Sequence, residues 1–171
     1  MKSPIQTIEQ LVKSEDYARM IAFYFFFSRF EYALKRAGYY VNAPSGRRSP
    51  KREINAEADW PRYGRDKSAF AAKIDPGVVK LLKDSPPQKQ IVSNGCLGWS
   101  AALPNADGDF DFLLLLVRRI RNNLFHGEKC PQGAEEDVTR NVALMDAGLS
   151  IMQSCLDEDD DLRRRFLENL E

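Results

Sequence analysis

The residues best equipped for chemistry stand together, in the stretch Arg118-Arg119-Ile120-Arg121-Asn122-Asn123-Leu124-Phe125-His126-Gly127. His126 is the only histidine in the chain, and imidazole titrates near neutrality, so it can take or give a proton at a reacting oxygen. Arginine is permanently charged and fork-shaped, suited to hold a phosphate and the charge that develops on it. Such a pair fits cleavage of RNA by its own 2′-hydroxyl. That reaction needs a base at the hydroxyl, a cation on the nonbridging oxygens and an acid for the leaving 5′-oxygen. One histidine does not comfortably fill both proton roles, whereas two chains meeting along this stretch would supply two histidines in a composite, symmetric site.

The element that must position these groups is a helix. Phe110, Leu113, Leu114, Val117, Ile120 and Leu124 recur at the three-and-four spacing of a helix facing a core. At about 100° per residue, Arg121 falls inside this apolar stripe, while Arg118, Asn122 and His126 fall on its flank and far side. Burying an unpaired guanidinium costs several kcal/mol, so Arg121 should be paired internally, lie against a partner subunit or be held for an anion. Gly127 is a helix stop signal, which puts His126 at a helix C-terminus, where the dipole favours its protonated form. On an ideal helix Arg121 and His126 point roughly 140° apart. The helix must distort near its end, the arginine swing across, or a second subunit complete the site.

Composition narrows the class. The 171 residues suffice for one domain with a real core. Lysine plus arginine equals aspartate plus glutamate at 25 each, which argues against coating nucleic acid by bulk charge and leaves room for a local basic site. Cys96, Cys130 and Cys155 are odd in number, lack CxxC spacing and follow a polar, helical amino terminus without a targeting pattern, as expected in a reducing cytoplasm. The apolar runs Ile21 to Phe27 and Phe112 to Val117 are far shorter than the about 20 residues that span a bilayer.

The rest of the chain reads as helices around an irregular middle. Residues Ile5 to Gly38 form one long helix or two abutting ones, with Ile8, Leu11, Val12, Tyr17, Met20, Ile21, Tyr24, Phe27, Ala33 and Leu34 at helical spacing. The segment Phe23 to Phe27 with Phe30 is aromatic on more than one side, so this helix is central or covered by another chain. Glu31 is a candidate partner for the inward arginine, or a rim residue bonded to Lys35. Residues Val41 to Asn55, with Arg47, Arg48, Lys51 and Arg52, read as a loop, either solvated or a phosphate-contacting arm. A helix is expected from about Ala58 to Lys73 and a shorter one from Pro76 to Leu82, followed by irregular chain from Asp84 to Asn105. The run Asn105, Asp107, Asp109, Asp111 fails as a calcium loop, because Gly108 comes too early and Leu116 stands where a bidentate glutamate is needed. These aspartates suit the cap and acidic first turn of the motif helix. A long helix from about Ala134 to Asp157 follows, with Val138, Val142, Met145, Leu149, Met152 and Leu156 inward, then a charge-segregated terminal helix ending in Arg163, Arg164 and Arg165. No strand is expected. The fold class is all-α, a helical bundle of four to five main helices built around two long antiparallel hairpins.

Other chemistries fall away. The chain has no Walker-type glycine loop, no HExxH, and no cysteine and histidine set at zinc spacing, so no metal or cofactor is expected. Gly98-Trp99-Ser100 only partly matches a nucleophile elbow. Arg121-Asn122, three residues, then His126-Gly127 resembles the signature of the HEPN superfamily, and the phrasing Arg-Asn-Asn-Leu-Phe-His-Gly is similar to HEPN domains of bacterial defence and plasmid systems. The order of an aromatic first helix, a variable insert over about 41–105, the motif helix and a closing helix also fits. The resemblance covers about Asp109 to Asp157 and, more loosely, the first helix. It implies a metal-independent endoribonuclease acting as a homodimer, with Arg121 and His126 catalytic, Asn122 orienting them, and products bearing a 2′,3′-cyclic phosphate. Arg118 and Arg119 are the expected RNA contacts, and an antitoxin or defence-system protein an expected partner. Two alternatives stand beside it. Some HEPN domains only bind nucleotides or protein partners, and a histidine before a glycine can be a plain helix cap with Arg121 paired to Glu31 or Asp137.

Overall fold

The computed structural model describes residues 15–42, 56–125 and 135–170. The long helix α1 (Glu15–Arg36) ends where Gly38 adopts φ +90° and its N–H and that of Tyr39 cap the carbonyls of Lys35 and Leu34. Strand β1 (Tyr40–Asn42) pairs antiparallel with β2 (Ala56–Ala58). Asp59 then caps α2 (Trp60–Asp66), accepting from the Arg62 N–H, with Pro61 in the first turn. A 3₁₀ segment (Ser68–Lys73) and α3 (Pro76–Asp84), capped by Asp75, follow. The hairpin β3 (Lys89–Ser93) and β4 (Cys96–Ser100) leads to α4 (Asp109–Phe125), α5 (Glu135–Glu158) and α6 (Asp160–Leu167).

The fold class is all-α, with two small antiparallel ribbons added. A single apolar cluster joins Phe23, Phe27, Phe30 and Leu34 of α1 to Leu113, Leu114, Val117 and Ile120 of α4 and to Met145, Ile151, Met152 and Leu156 of α5. The middle segment is part of this core, because Trp60, Tyr63, Ile74 and Leu82 are buried in it. Trp60 stacks on Phe27 and on Phe30, 5.3 Å between centroids in each case. Each such fully buried aromatic contributes on the order of 1.5–3 kcal/mol of transfer free energy. Helix α1 packs on α5 and α6, and α4 on α2 and α5. Among the described residues no helix is long and apolar enough to cross a membrane.

Four expectations change. Residues Lys89 to Ser100 are a β-hairpin instead of irregular chain. Asn94 and Gly95, at φ 51° and 77°, make the two-residue turn that matches strand twist. The helix expected over Ala58 to Lys73 breaks at Lys67 (φ −111°, ψ 25°), whose ammonium reaches Asp159 at 2.9 Å. On α1 the buried residues are Phe23, Phe27, Phe30, Ala33 and Leu34, while Ile21 and Tyr24 of the expected stripe are exposed. Glu31 accepts a 3.0 Å hydrogen bond from the Trp60 indole, in place of the expected arginine or Lys35. The closing stripe holds: Met145, Met152 and Leu156 are buried and Val142 and Leu149 pack against them. Ile5 to Lys13, the basic loop residues Arg47, Arg48, Lys51 and Arg52, and His126, Gly127 and Cys130 lie outside the described residues.

Candidate functional site

Helix α4 starts immediately after Gly108, whose carbonyl takes the Phe112 N–H. Asp109 and Asp111 occupy its first turn, as expected, but the cap position falls to glycine. Asp111 is buried and its carboxylate turns back to accept from the Asp107 N–H at 3.2 Å. Buried Phe110, Leu113, Leu114, Val117 and Ile120 then hold one face of α4 in the core. This packing fixes the directions in which Arg119, Arg121, Asn122 and Asn123 leave the helix.

Arg121 emerges from that face into a cleft of about 420 Å³ between α1 and α4, lined by Met20, Ile21, Phe23, Tyr24, Phe25, Arg121 and Leu124. The guanidinium is half-buried, with Cζ 5.7 Å from the Phe27 ring centroid, and Nη1 donates to Asn122 Oδ1 at 3.1 Å. The ring face offsets part of the cost of placing a cation among apolar groups. Two of the residues read as a site, Arg121 and Asn122, are therefore brought together directly. Asn122 itself is exposed. His126, the third, lies beyond the described residues. Tyr24 brings a phenol to the same cleft. Helical spacing had assigned it to the core stripe, and only the observed phase of α1 turns it toward Arg121.

The opposite side of α4 carries a different task. Arg119 and Asn123, one turn apart on one face, both hold the ends of the β3–β4 segment. Arg119 donates to the Ala102 carbonyl at 2.7 Å, and burial draws its pKa below the ordinary arginine value. Buried Asn123 donates to the Gln88 carbonyl at 2.8 Å. Arg140 of α5 reinforces the same root through Ser85 Oγ and the Pro86 carbonyl, both at 2.8 Å. Arg119, expected as an RNA contact, thus serves the ribbon, as do Asn123 and Arg140, whose roles follow only from a hairpin that the sequence pattern does not predict. Arg118 is half-buried beside them.

Taken as chemistry, the cleft offers a fixed positive charge in a partly dry setting, where attraction for an anion exceeds that in water. The guanidinium can bind and stabilise negative charge through its planar fork of N–H donors. Gly98-Trp99-Ser100, weighed as a nucleophile elbow, lies in β4 of a hairpin with no helix directly after it. No family model matches the chain, and neither the curated proteins nor the solved structures compared with it give a match.

Proposed function

We propose that this protein is a cytoplasmic, metal-independent endoribonuclease of the HEPN kind, working as a homodimer in a toxin–antitoxin or phage-defence setting. The observation that carries the reading is Arg121, a guanidinium set in the wall of an apolar cleft with Asn122 hydrogen-bonded to it, five residues before the sole histidine. In this reading Arg121 holds the scissile phosphate, Asn122 fixes the guanidinium plane, and His126 moves the proton. The 2′-oxygen attacks phosphorus and the 5′-oxygen leaves, giving a 2′,3′-cyclic phosphate. Ile21, Tyr24 and Phe25 line the cleft and stay exposed, Phe25 at 67 %, which supports a second subunit covering α1 and bringing a second His126. Arg118 is the candidate for a flanking phosphate, whereas Arg119, expected in the same role, is engaged with the Ala102 carbonyl on the opposite side of α4.

The apolar character of the cleft favours one competing reading, a noncatalytic module that binds a nucleotide or a partner protein there. Purified protein should cut RNA in EDTA, leave cyclic-phosphate ends, and lose cutting with Arg121→Ala or His126→Ala. Unchanged cutting in both variants removes the assignment. Retained nucleotide or partner affinity without cyclic-phosphate ends selects the binding module instead. Phe25→Glu should remove the pairing through α1 and lower the sedimenting mass at micromolar concentration; a mass that it leaves unchanged removes this interface.

A further inference from the structure

The β3–β4 ribbon is unlike the rest of the surface. From Ser85 to Ala106 the only charged residue is Lys89, in a chain that is 29 % charged. Val92 and Leu97, opposite each other in the register, are 71 % and 66 % exposed, and Gln90 pairs with Trp99 on the same face. Ser93 and Cys96 close the two-residue turn and so exchange the narrow pair of hydrogen bonds. The backbone N–H and C=O groups of Leu97 and Trp99 therefore point away from β3. Among the described residues β4 pairs with β3 alone, leaving that edge open.

Natural sheets guard such an edge with lysine, proline, a bulge or a covering element. Strand β4 reads Cys-Leu-Gly-Trp-Ser and carries none of the residue guards, while its root is clamped to α4 and α5 by Asn123, Arg119 and Arg140. We infer that β4 is the edge by which two copies of this chain join, antiparallel about Gly98, into a four-stranded sheet. Self-pairing in that register sets Leu97 against Trp99 of the second copy and Gly98 against Gly98, with Cys96 opposite Ser100. Large meets large, glycine meets glycine, and no charge opposes a like charge. Antiparallel pairing of identical strands is twofold by construction, so the contact closes on itself. Nothing on β4 would select a charged foreign strand over a second copy. The contact lies on the face of α4 away from Arg121 and does not depend on nuclease activity. Together with pairing through α1 it would give assemblies larger than a dimer.

The register makes a sharp test. In a Cys130→Ser background, Ser100→Cys places a thiol opposite Cys96 of the second copy at a non-hydrogen-bonded pair. The Cα atoms there lie about 4.5 Å apart, within disulfide reach. With diamide as oxidant, two thiols becoming one disulfide, this variant should form a covalent two-chain species roughly ten-fold or more faster than the parent with Cys96 alone, whose thiols stand roughly 13 Å out of register. Leu97→Lys, at an exposed position that folding does not need, should abolish that crosslink and lower the sedimenting mass, leaving any dimer through α1 intact. Equal crosslinking in parent and Ser100→Cys chains, or crosslinking untouched by Leu97→Lys, overturns the inference.

Discussion

Gly148 of α5 is buried where α1 crosses it, and a Cβ at that position would lie 2.7 Å from Phe23 Cε2, 3.4 Å from Phe23 Cζ and 3.5 Å from Ile120 Cδ1. Carbon atoms rest at about 3.5–4.0 Å, so Gly148→Ala obliges the Phe23 ring to retreat by roughly 1 Å. Phe23 has no exposed surface and forms a wall of the Arg121 cleft, so its retreat also moves that wall. Overpacking of this kind costs about 1–3 kcal/mol, against about 1 kcal/mol gained from alanine's higher helix propensity. The net expectation is a loss of about 1 kcal/mol, or a fall in Tm of roughly 2–4 °C for a chain of this size. Gly148→Val should cost more. Thermal and urea unfolding of the three proteins measure it directly. A Gly148→Ala protein that is more stable than the parent, by the full propensity gain, would show that α1 and α5 do not meet at this point and would refute the packing described.

Two further expectations rest on the junction near Asp159 and on the thiols. Asp159 caps α6 through the Leu162 N–H at 3.1 Å and pairs with Lys67, so Asp159→Ala should lower stability by about 1–2 kcal/mol in urea while Asp159→Asn keeps the cap and loses less. The hydrogen bond to Asp159 raises the Lys67 pKa above 10.5; its contribution is present below that pH and lost as pH rises through the folded value, a loss that Asp159→Asn should abolish. Cys155 is fully buried with its thiol pushed up to about 12, so iodoacetamide at neutral pH should label exposed Cys96 and spare Cys155, as read by mass spectrometry. Rapid native labelling of Cys155 would contradict the core as described.

The motif helix was legible because its signal is redundant: six apolar residues at strict spacing, acids at the start, and one arginine out of pattern. The phase of α1 was not, and the reason is physical. Five consecutive aromatics from Phe23 to Phe27 offer a hydrophobic direction all round the helix. Tertiary contact decides among them, and the Trp60 indole settles on Phe27 and Phe30, leaving Tyr24 and Phe25 outside. The β3–β4 hairpin did carry a local signal, Asn94-Gly95 between two short apolar strands, outweighed in reading by the surrounding prolines and glycines. The break at Lys67 could not be foreseen locally, since its ammonium is drawn to Asp159, far along the chain. Of the candidate site, the pairing of Arg121 with Asn122 followed from adjacency, whereas the cleft needed the observed rotation of α1.

Arg29 of α1 donates to the Phe166 carbonyl at 2.6 Å and also to that of Glu168, and Phe26 packs on Phe166 with centroids 4.7 Å apart. The partners lie 137 and 139 residues away in sequence. During synthesis, α1 therefore leaves the ribosome with an aromatic face whose covering segment has yet to be made, and closure of so long a loop comes late in folding. Phe26 and the Arg29 guanidinium thus wait on residues 166 to 168 for their partners, and the contact of α1 with α6 is among the last that folding can make.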